Sequence, residues 1–298
     1  MVRQVIREFS APDELAAALI EVGYLPDEGL ATAAFLAQRM HRPLFLEGDA
    51  GVGKTSLAQA LAEVTGGRLI RLQCYEGIDA SQALYDWDFA RQVLHLRAAE
   101  TAGIADRAAA EALESSLYDR RFLVARPILQ ALEEPGAVLL IDEIDRADDE
   151  FEAFLLEVLS ENSVTIPEFG TIRAESPPLV VLTSNRTREV HDALKRRCLY
   201  HWVAHPPFER EVAILRQRLP EATEQLTTDV ALAVRRMRQA DLLKPPGVAE
   251  SIDWTQALHL LGARSLDRDR AAATLGAVLK YQEDSIRIRD TVLAELVG

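Results

Sequence analysis

The sequence predicts an α/β fold, a parallel sheet covered by helices on both faces, followed by an all-helical C-terminal domain. Three observations carry this. Strand-like apolar runs alternate with helical patterns from residue 43 to about residue 202. A glycine-rich loop within "FLEGDAGVGKTSL" (45–57) joins the first of those runs to a helical pattern. Beyond the double proline Pro206 and Pro207 only helical patterns remain.

The expected strands are 43–47, 68–74, 137–142, 179–184 and 199–202. Several are nearly continuous apolar runs, as expected of strands buried on both faces. Between them Phe151, Phe154, Leu155, Val158 and Leu159 make the clearest helical stripe. Two segments interrupt the alternation: "YDWDFARQVLHLR" (85–97), and "SVTIPEFGTIRAES" (163–176), which reads as a hairpin. In the C-terminal part Val230, Val234 and Met237 suit one helix, and Leu275, Val278 and Leu279 another, with "KPPG" (244–247) as a separator. The division expected is an α/β nucleotide-binding domain over 1–205 and a helical domain over 206–298.

With 298 residues and 48% hydrophobic content, the chain can bury a sizeable core. Its purest apolar runs, such as 137–141, are far shorter than a membrane span, and "MVRQVIREFS" lacks the apolar centre of a signal peptide. A cytoplasmic protein without a membrane span is expected. Cys74 and Cys198 lie far apart and match no metal spacing, so both read as buried thiols. The net charge of −14 speaks against a nucleic-acid-binding surface.

Four elements carry chemistry. Gly48, Gly51, Gly53, Lys54 and Thr55 fit the phosphate-binding pattern G-x-x-x-x-G-K-[ST], placed between a strand and a helix as that pattern requires. Glycines admit positive φ and bring main-chain N–H groups to phosphate, and the following helix aims its positive end there. Gly48, Asp49, Ala50, Gly51, Val52, Gly53, Lys54, Thr55 and Ser56 are therefore the expected nucleotide-binding residues, Lys54 reaching the β- and γ-phosphates and Thr55 holding Mg²⁺. The second element, "AVLLIDEIDRA" (137–147), ends a buried strand in Asp142, a second ligand for the Mg²⁺ shell, and Glu143, a general base for water. Asp145, Asp148, Asp149 and Glu150 nearby read as a solvated acidic face. The third, "LVVLTSNRT" (179–187), sets Asn185 just past another buried strand, where its amide would bond the γ-phosphate and the attacking water; an asparagine that merely starts a turn is the alternative. The fourth, "DALKRRCLYHW" (192–202), offers Arg196 and Arg197 for a transition state with spread negative charge, or else a basic surface turn. His201 and His205, four apart, read as part of a strand ending at prolines rather than as a metal pair, and Trp87 and Trp202 as packing anchors.

These four elements, in this order and followed by helices, resemble the AAA+ ATPases, and within them the MoxR branch, which residues 126–172 resemble around the acidic motif and the hairpin. "RLQCYEGIDASQALYDWDF" (71–89) and "DALKRRCLYHWV" (192–203) are similar to the CoxD-type accessory ATPase of carbon monoxide dehydrogenase maturation. The resemblance implies a P-loop NTPase αβα sandwich with strand order 5-1-4-3-2 and a C-terminal helical lid. It implies a ring, a hexamer, with ATP between subunits. Arg197 would be the finger on a neighbour's ATP, with Arg196 in reserve. Segments 85–97 and 163–176 would be extra hairpins facing the pore or the ring surface. The partner would be a von Willebrand A-domain protein and the client a metalloenzyme, here a molybdenum–copper hydroxylase. The branch's lid arginine is missing: "AESIDWTQAL" (249–258) puts Trp254 or Thr255 in its place. Tyr24 is a residue that could pack near adenine. No N-K-x-D guanine signal occurs, which favours ATP over GTP.

Three functions compete on these grounds. One is Mg-dependent ATP hydrolysis that remodels a protein client. The second is a DNA-linked motor or loader, against which the acidic balance speaks. The third is an ATP-gated scaffold with little turnover.

Overall fold

The computed structural model of the protein describes residues 7–101 and 113–291. Five strands, β1 (Leu44–Glu47), β2 (Leu69–Gln73), β5 (Val138–Asp142), β8 (Leu179–Ser184) and β9 (Leu199–Trp202), form one parallel sheet in the order β2-β5-β8-β1-β9. Counting only these five along the chain, this is 5-1-4-3-2, the expected order. Residue burial follows position in the sheet. β1 and β5 are buried at every residue, whereas the edge strands β2 and β9 alternate, with Arg71, Gln73, Tyr200 and Trp202 exposed. A strand covered on both faces is apolar along its run, here up to the terminal Glu47 and Asp142; an edge strand need not be. Trp202 is therefore an exposed edge residue, 40% accessible, and not the packing anchor expected.

The first interruption is not a hairpin. Tyr85–Trp87 (β3) pairs antiparallel with Leu123–Ala125 (β4), far along the chain, and residues 89 onward are a helix, Phe89–Thr101. The aromatic residues of "YDWDF" suit a strand, and no turn residue follows within reach to fold it back. Trp87 packs edge-on against Tyr85 and Tyr118. The second interruption is the expected hairpin, β6 (Ser163–Ile166) against β7 (Gly170–Arg173). Before it, helix Asp149–Glu161 buries Phe151, Leu155, Val158 and Leu159; Asp148 caps its first turn through Phe151 N–H, and Asn162 ends it at φ 48°.

The chain clusters into two compact units. One holds residues up to Ser10, Ala33–Phe45 and Leu61–Tyr200, with a core that runs from Phe45 through the β5 and β8 side chains to Cys198. The other holds Ala11–Thr32, Leu46–Ala60 and the chain from His201 onward. Its core lies among the helices Phe208–Arg218, Glu224–Gln239, Val248–Leu260, Arg268–Val278 and Gln282–Thr291, around the fully buried Trp254. The C-terminal part is helical, as its sequence predicts. The phosphate-loop segment groups with these helices, and the contacts given below explain why. Among the described residues no helix is long and apolar enough to cross a membrane.

Candidate functional site

The glycine-rich loop leaves β1 and enters helix Lys54–Thr65. Its three glycines have positive φ, 156° at Gly48, 78° at Gly51 and 99° at Gly53. Gly48 is required by space as well, since a Cβ there would meet the Val203 carbonyl oxygen at 2.3 Å. Lys54 is 6% exposed, and its ammonium donates to the carbonyls of Gly48 and Asp49, both at 2.7 Å. Val52 is buried, Ala50 and Thr55 are half-buried, and Asp49 and Ser56 are exposed. A buried ammonium on a loop of this backbone shape, at a helix N-terminus, has the chemistry of a triphosphate cradle.

The loop is clasped by backbone from the C-terminal part of its own unit. Val203 N–H bonds the Glu47 carbonyl at 2.7 Å, and Ala249 N–H bonds the Gly51 carbonyl at 3.0 Å. A Cβ on Gly247 would lie 2.6 Å from the Ala50 carbonyl oxygen. The turn that touches the loop is thus residues 247–250, at the start of helix Val248–Leu260. Trp254 and Thr255, which the resemblance puts in the place of the lid arginine, lie further along that helix. Both are fully buried in the helical core, Trp254 donating to Thr274 Oγ1 and Thr255 to the Ser251 carbonyl. An arginine does serve this turn, from another helix. Arg238 holds the Pro246 carbonyl through Nε at 2.7 Å and forks onto the buried Glu211 at 2.6 and 2.8 Å, while Ser251 donates to the same carboxylate. On the loop's other flank His205 Nε2 lies 3.2 Å from Asp49 Oδ2. Burial, and then the Arg238 guanidinium, lower the pKa of His205, with Asp49 and Glu211 pulling the other way. Tyr24 lies alongside Gly53, whose added Cβ would be 3.8 Å from the ring, and burial raises its phenol pKa.

The second cluster sits at the ends of β5 and β8, which are neighbours. Asp142, 4% exposed, accepts the Thr183 hydroxyl on Oδ1 and Arg71 Nη2 and Nε on Oδ2 at 2.6 and 3.0 Å. Glu143 takes the left-handed conformation, φ 56° and ψ 50°, with its N–H on Thr183 Oγ1 at 3.0 Å. A left-handed glutamate costs about 1–2 kcal/mol, a strain typical of positions where direction matters more than stability. Its carboxylate is held from both sides: Asn185 Nδ2 donates to Oε1 at 3.4 Å, and Gln73 Nε2 to Oε2 at 2.9 Å. Arg146 approaches Oε2 at 3.4 Å.

Asp145 departs from the solvated face expected of the acidic run. It is 2% exposed and accepts the N–H groups of Asn185 and Thr187 and the Thr187 hydroxyl, at 3.2, 2.8 and 2.7 Å. It therefore fixes the turn that carries Asn185. Asp149 and Glu150 are exposed as expected, and Asp148 is a helix cap. The sequence reading missed Arg71, Gln73, Thr183 and Asp145 as members of this cluster. The signal available for the first two was the polar alternation of β2; for Thr183 it was a hydroxyl interrupting an apolar strand just before its end.

Arg196 and Arg197 end the helix Asp192–Arg197, and both are exposed. Arg197 Nε donates to Ser160 Oγ at 2.6 Å. Cys74 and Cys198 are buried, each thiol pushed up to about 12, chiefly by desolvation, which leaves them unreactive. Among the described residues no group of three or more His, Cys, Asp or Glu side chains could hold a metal ion, and His201 and His205 form no such centre. Mg²⁺ bound through phosphate and one carboxylate needs no such cage.

Residues 43–198 match the family model of the AAA domain, dynein-related subfamily. The chain belongs to that family. It is an AAA+ ATPase, of a class whose members commonly form ring oligomers. Over 48 residues this AAA+ chain is 48% identical to Midasin from Giardia intestinalis; the stretch is 16% of this chain and 1% of Midasin, so the AAA+ chain spans a very small part of that relative. A point mutant of Thermotoga maritima RuvB has a similar fold, with a TM-score of 0.53 and 16% identity over 94% of this chain and 76% of that one. The structure of the Thermotoga maritima RuvB Holliday junction branch migration motor aligns at a TM-score of 0.47 and 13% identity, over 92% and 73% of the two chains. At 16% identity the likeness to the mutant is one of fold alone.

Proposed function

We propose that the protein is a Mg-dependent ATPase of the MoxR branch, nearest the CoxD type, that remodels or activates a metalloenzyme client together with a von Willebrand A-domain partner. The observation that carries the hydrolytic part is the carboxylate of Glu143, strained at its backbone and gripped on each oxygen by an amide, Asn185 on one and Gln73 on the other. In this reading residues 48–56 cradle the triphosphate and Lys54 neutralises it. Thr55 and Asp142, a hydroxyl and a carboxylate, are hard oxygen donors suited to Mg²⁺. When bound, that ion supplies charge neutralisation for the β- and γ-phosphates. Glu143 accepts the proton of the attacking water, and Asn185 orients that water against the γ-phosphate. Arg197, or Arg196 beside it, meets the developing charge on a neighbouring subunit's ATP; their exposure suits action outside their own chain.

Residues 1–205 serve as the nucleotide-binding domain and 206–298 as the lid, in a ring that we take as a hexamer. A cytoplasmic setting suits the two buried, unpaired thiols. The net charge of −14 favours a protein client over a DNA track. The test is Glu143→Gln: ATP hydrolysis falls by about 10²–10⁴-fold, the range of general-base catalysis, while the affinity for a fluorescent ATP analogue is kept. Turnover retained by this variant would remove Glu143 from the mechanism. The ATP-locked variant should also hold the von Willebrand partner and the client in affinity capture; salt-sensitive capture of DNA instead would favour the motor reading.

A further inference from the structure

The turn that carries Arg196 and Arg197 is fastened by a third arginine, far away in sequence. Helix Asp192–Arg197 is short, and its last carbonyls have no partners within it. Two of the helix's own are closed locally, Leu194 O by the Cys198 thiol at 3.2 Å and Lys195 O by Cys198 N–H at 3.1 Å. The next three, on Arg196, Arg197 and Cys198, are all taken by the guanidinium of Arg42, through Nη2 at 2.8 Å, Nε at 3.1 Å and Nη2 at 3.3 Å.

Arg42 is itself held. Helix Glu28–Met40 ends at His41 in the left-handed conformation, φ 50°, and Arg42 N–H bonds back to the Ala37 carbonyl at 3.1 Å. Pro43 follows with fixed φ, and its carbonyl accepts Leu199 N–H at 2.8 Å, one residue past the last carbonyl that Arg42 holds. A planar fork on a fixed stem thus sets the main chain of both candidate finger residues. A cation at a helix C-terminus is favourable in its own right, but a lysine would serve that purpose; three carbonyls in one plane of donors is what a guanidinium adds.

We propose that Arg42 is a positioning residue for the arginine turn, fixing the backbone from which the finger reaches the neighbouring subunit's ATP. This rests on the finger assignment made above. The experiment uses the full chain and measures kcat and the affinity for a fluorescent ATP analogue in R42A, R42K, R196A, R197A and the double variants of R42A with each. A misplaced catalytic group costs about 10²-fold, so R42A should lower kcat by up to that factor with binding unchanged, and R42K should fall between R42A and the parent. In the background of whichever arginine is the finger, R42A should cause no further loss, because a residue that only aims another has nothing left to aim. The proposal is overturned if R42A turns over like the parent while R197A or R196A is impaired. It is also overturned if the R42A loss adds in full to both single losses, which is the mark of a purely structural role. If R196A and R197A both match the parent, the finger reading fails first, and that outcome is distinct. Should R42A not fold, the same cycle run with R42K decides.

Discussion

The loop that would hold phosphate and the cluster that would cut it are built in opposite ways. The loop is set by main chain: three glycines at positive φ, a Val203 carbonyl that leaves no room at Gly48, and N–H groups of Val203 and Ala249 on Glu47 and Gly51 carbonyls. The cluster around Glu143 is set by side chains drawn from three strands and two turns: Arg71, Gln73, Asp142, Thr183, Asp145 and Asn185. The difference has a physical consequence. A backbone-built site fails when an atom is added, whereas a network of side chains fails when a partner is taken away and its neighbours are left unsatisfied.

The largest effect should come from adding one atom to the loop. Gly48→Ala places a Cβ 2.3 Å from a backbone oxygen that cannot rotate away. We expect a loss of about 2–5 kcal/mol in stability, crowding and the positive φ together, with nucleotide affinity falling as the loop shifts. Gly66→Ala is the control: its φ is 73°, but nothing lies within 4 Å of the added carbon, so only the conformational cost of about 1–2 kcal/mol applies and nucleotide affinity should hold. Thermal melts and titration with a fluorescent ATP analogue measure both. Equal losses of nucleotide affinity in the two variants would mean that crowding at Val203 does not shape the loop.

This contrast also explains what could be read in advance. The loop is contiguous, and its glycine spacing is dictated by backbone geometry, so it was legible in "GDAGVGKT". The parallel sheet was legible too, because β5 and β8 have to be apolar on both faces. The partners of Glu143 were not, since Gln73 lies seventy residues away, and the polar alternation of β2 marks it as exposed without naming what it meets. Asp145 was misread for a related reason: burial of a single carboxylate within an acidic run depends on the N–H groups of a turn forty residues on. The hairpin at 163–176 announced itself by glycine and proline between β-prone residues, while β3 found its partner beyond a helix, which no local pattern encodes.

A middle-sized effect is expected from removing a partner in the network. Asp145→Ala leaves the N–H groups of Asn185 and Thr187 without their buried acceptor and frees the turn that aims Asn185 at Glu143. Stability should fall by about 1–3 kcal/mol. Hydrolysis should fall by about tenfold or more, with ATP affinity unchanged. Loss of binding alongside hydrolysis would show that the cluster and the loop are not separable in the way their construction suggests.

The smallest effect belongs to the one ionisable contact on the loop's flank described above, His205 against Asp49. Burial and Arg238 hold the His205 pKa below its ordinary value, while Asp49 and Glu211 oppose them. The folded protein therefore disfavours the imidazolium, and the unfolded chain takes up the proton first, near the ordinary histidine value of about 6.5. Its contribution to stability is complete above that pH and drains away as the pH falls through the folded-state value. His205→Gln keeps a donor toward Asp49 but cannot titrate. Between pH 7.5 and pH 5 the melting temperature of the parent should drop by about a degree or two more than that of the variant. A gap between the two proteins that stays constant with pH would show that the loop's flank is not tuned by this imidazole, and that its geometry is a matter of main chain alone.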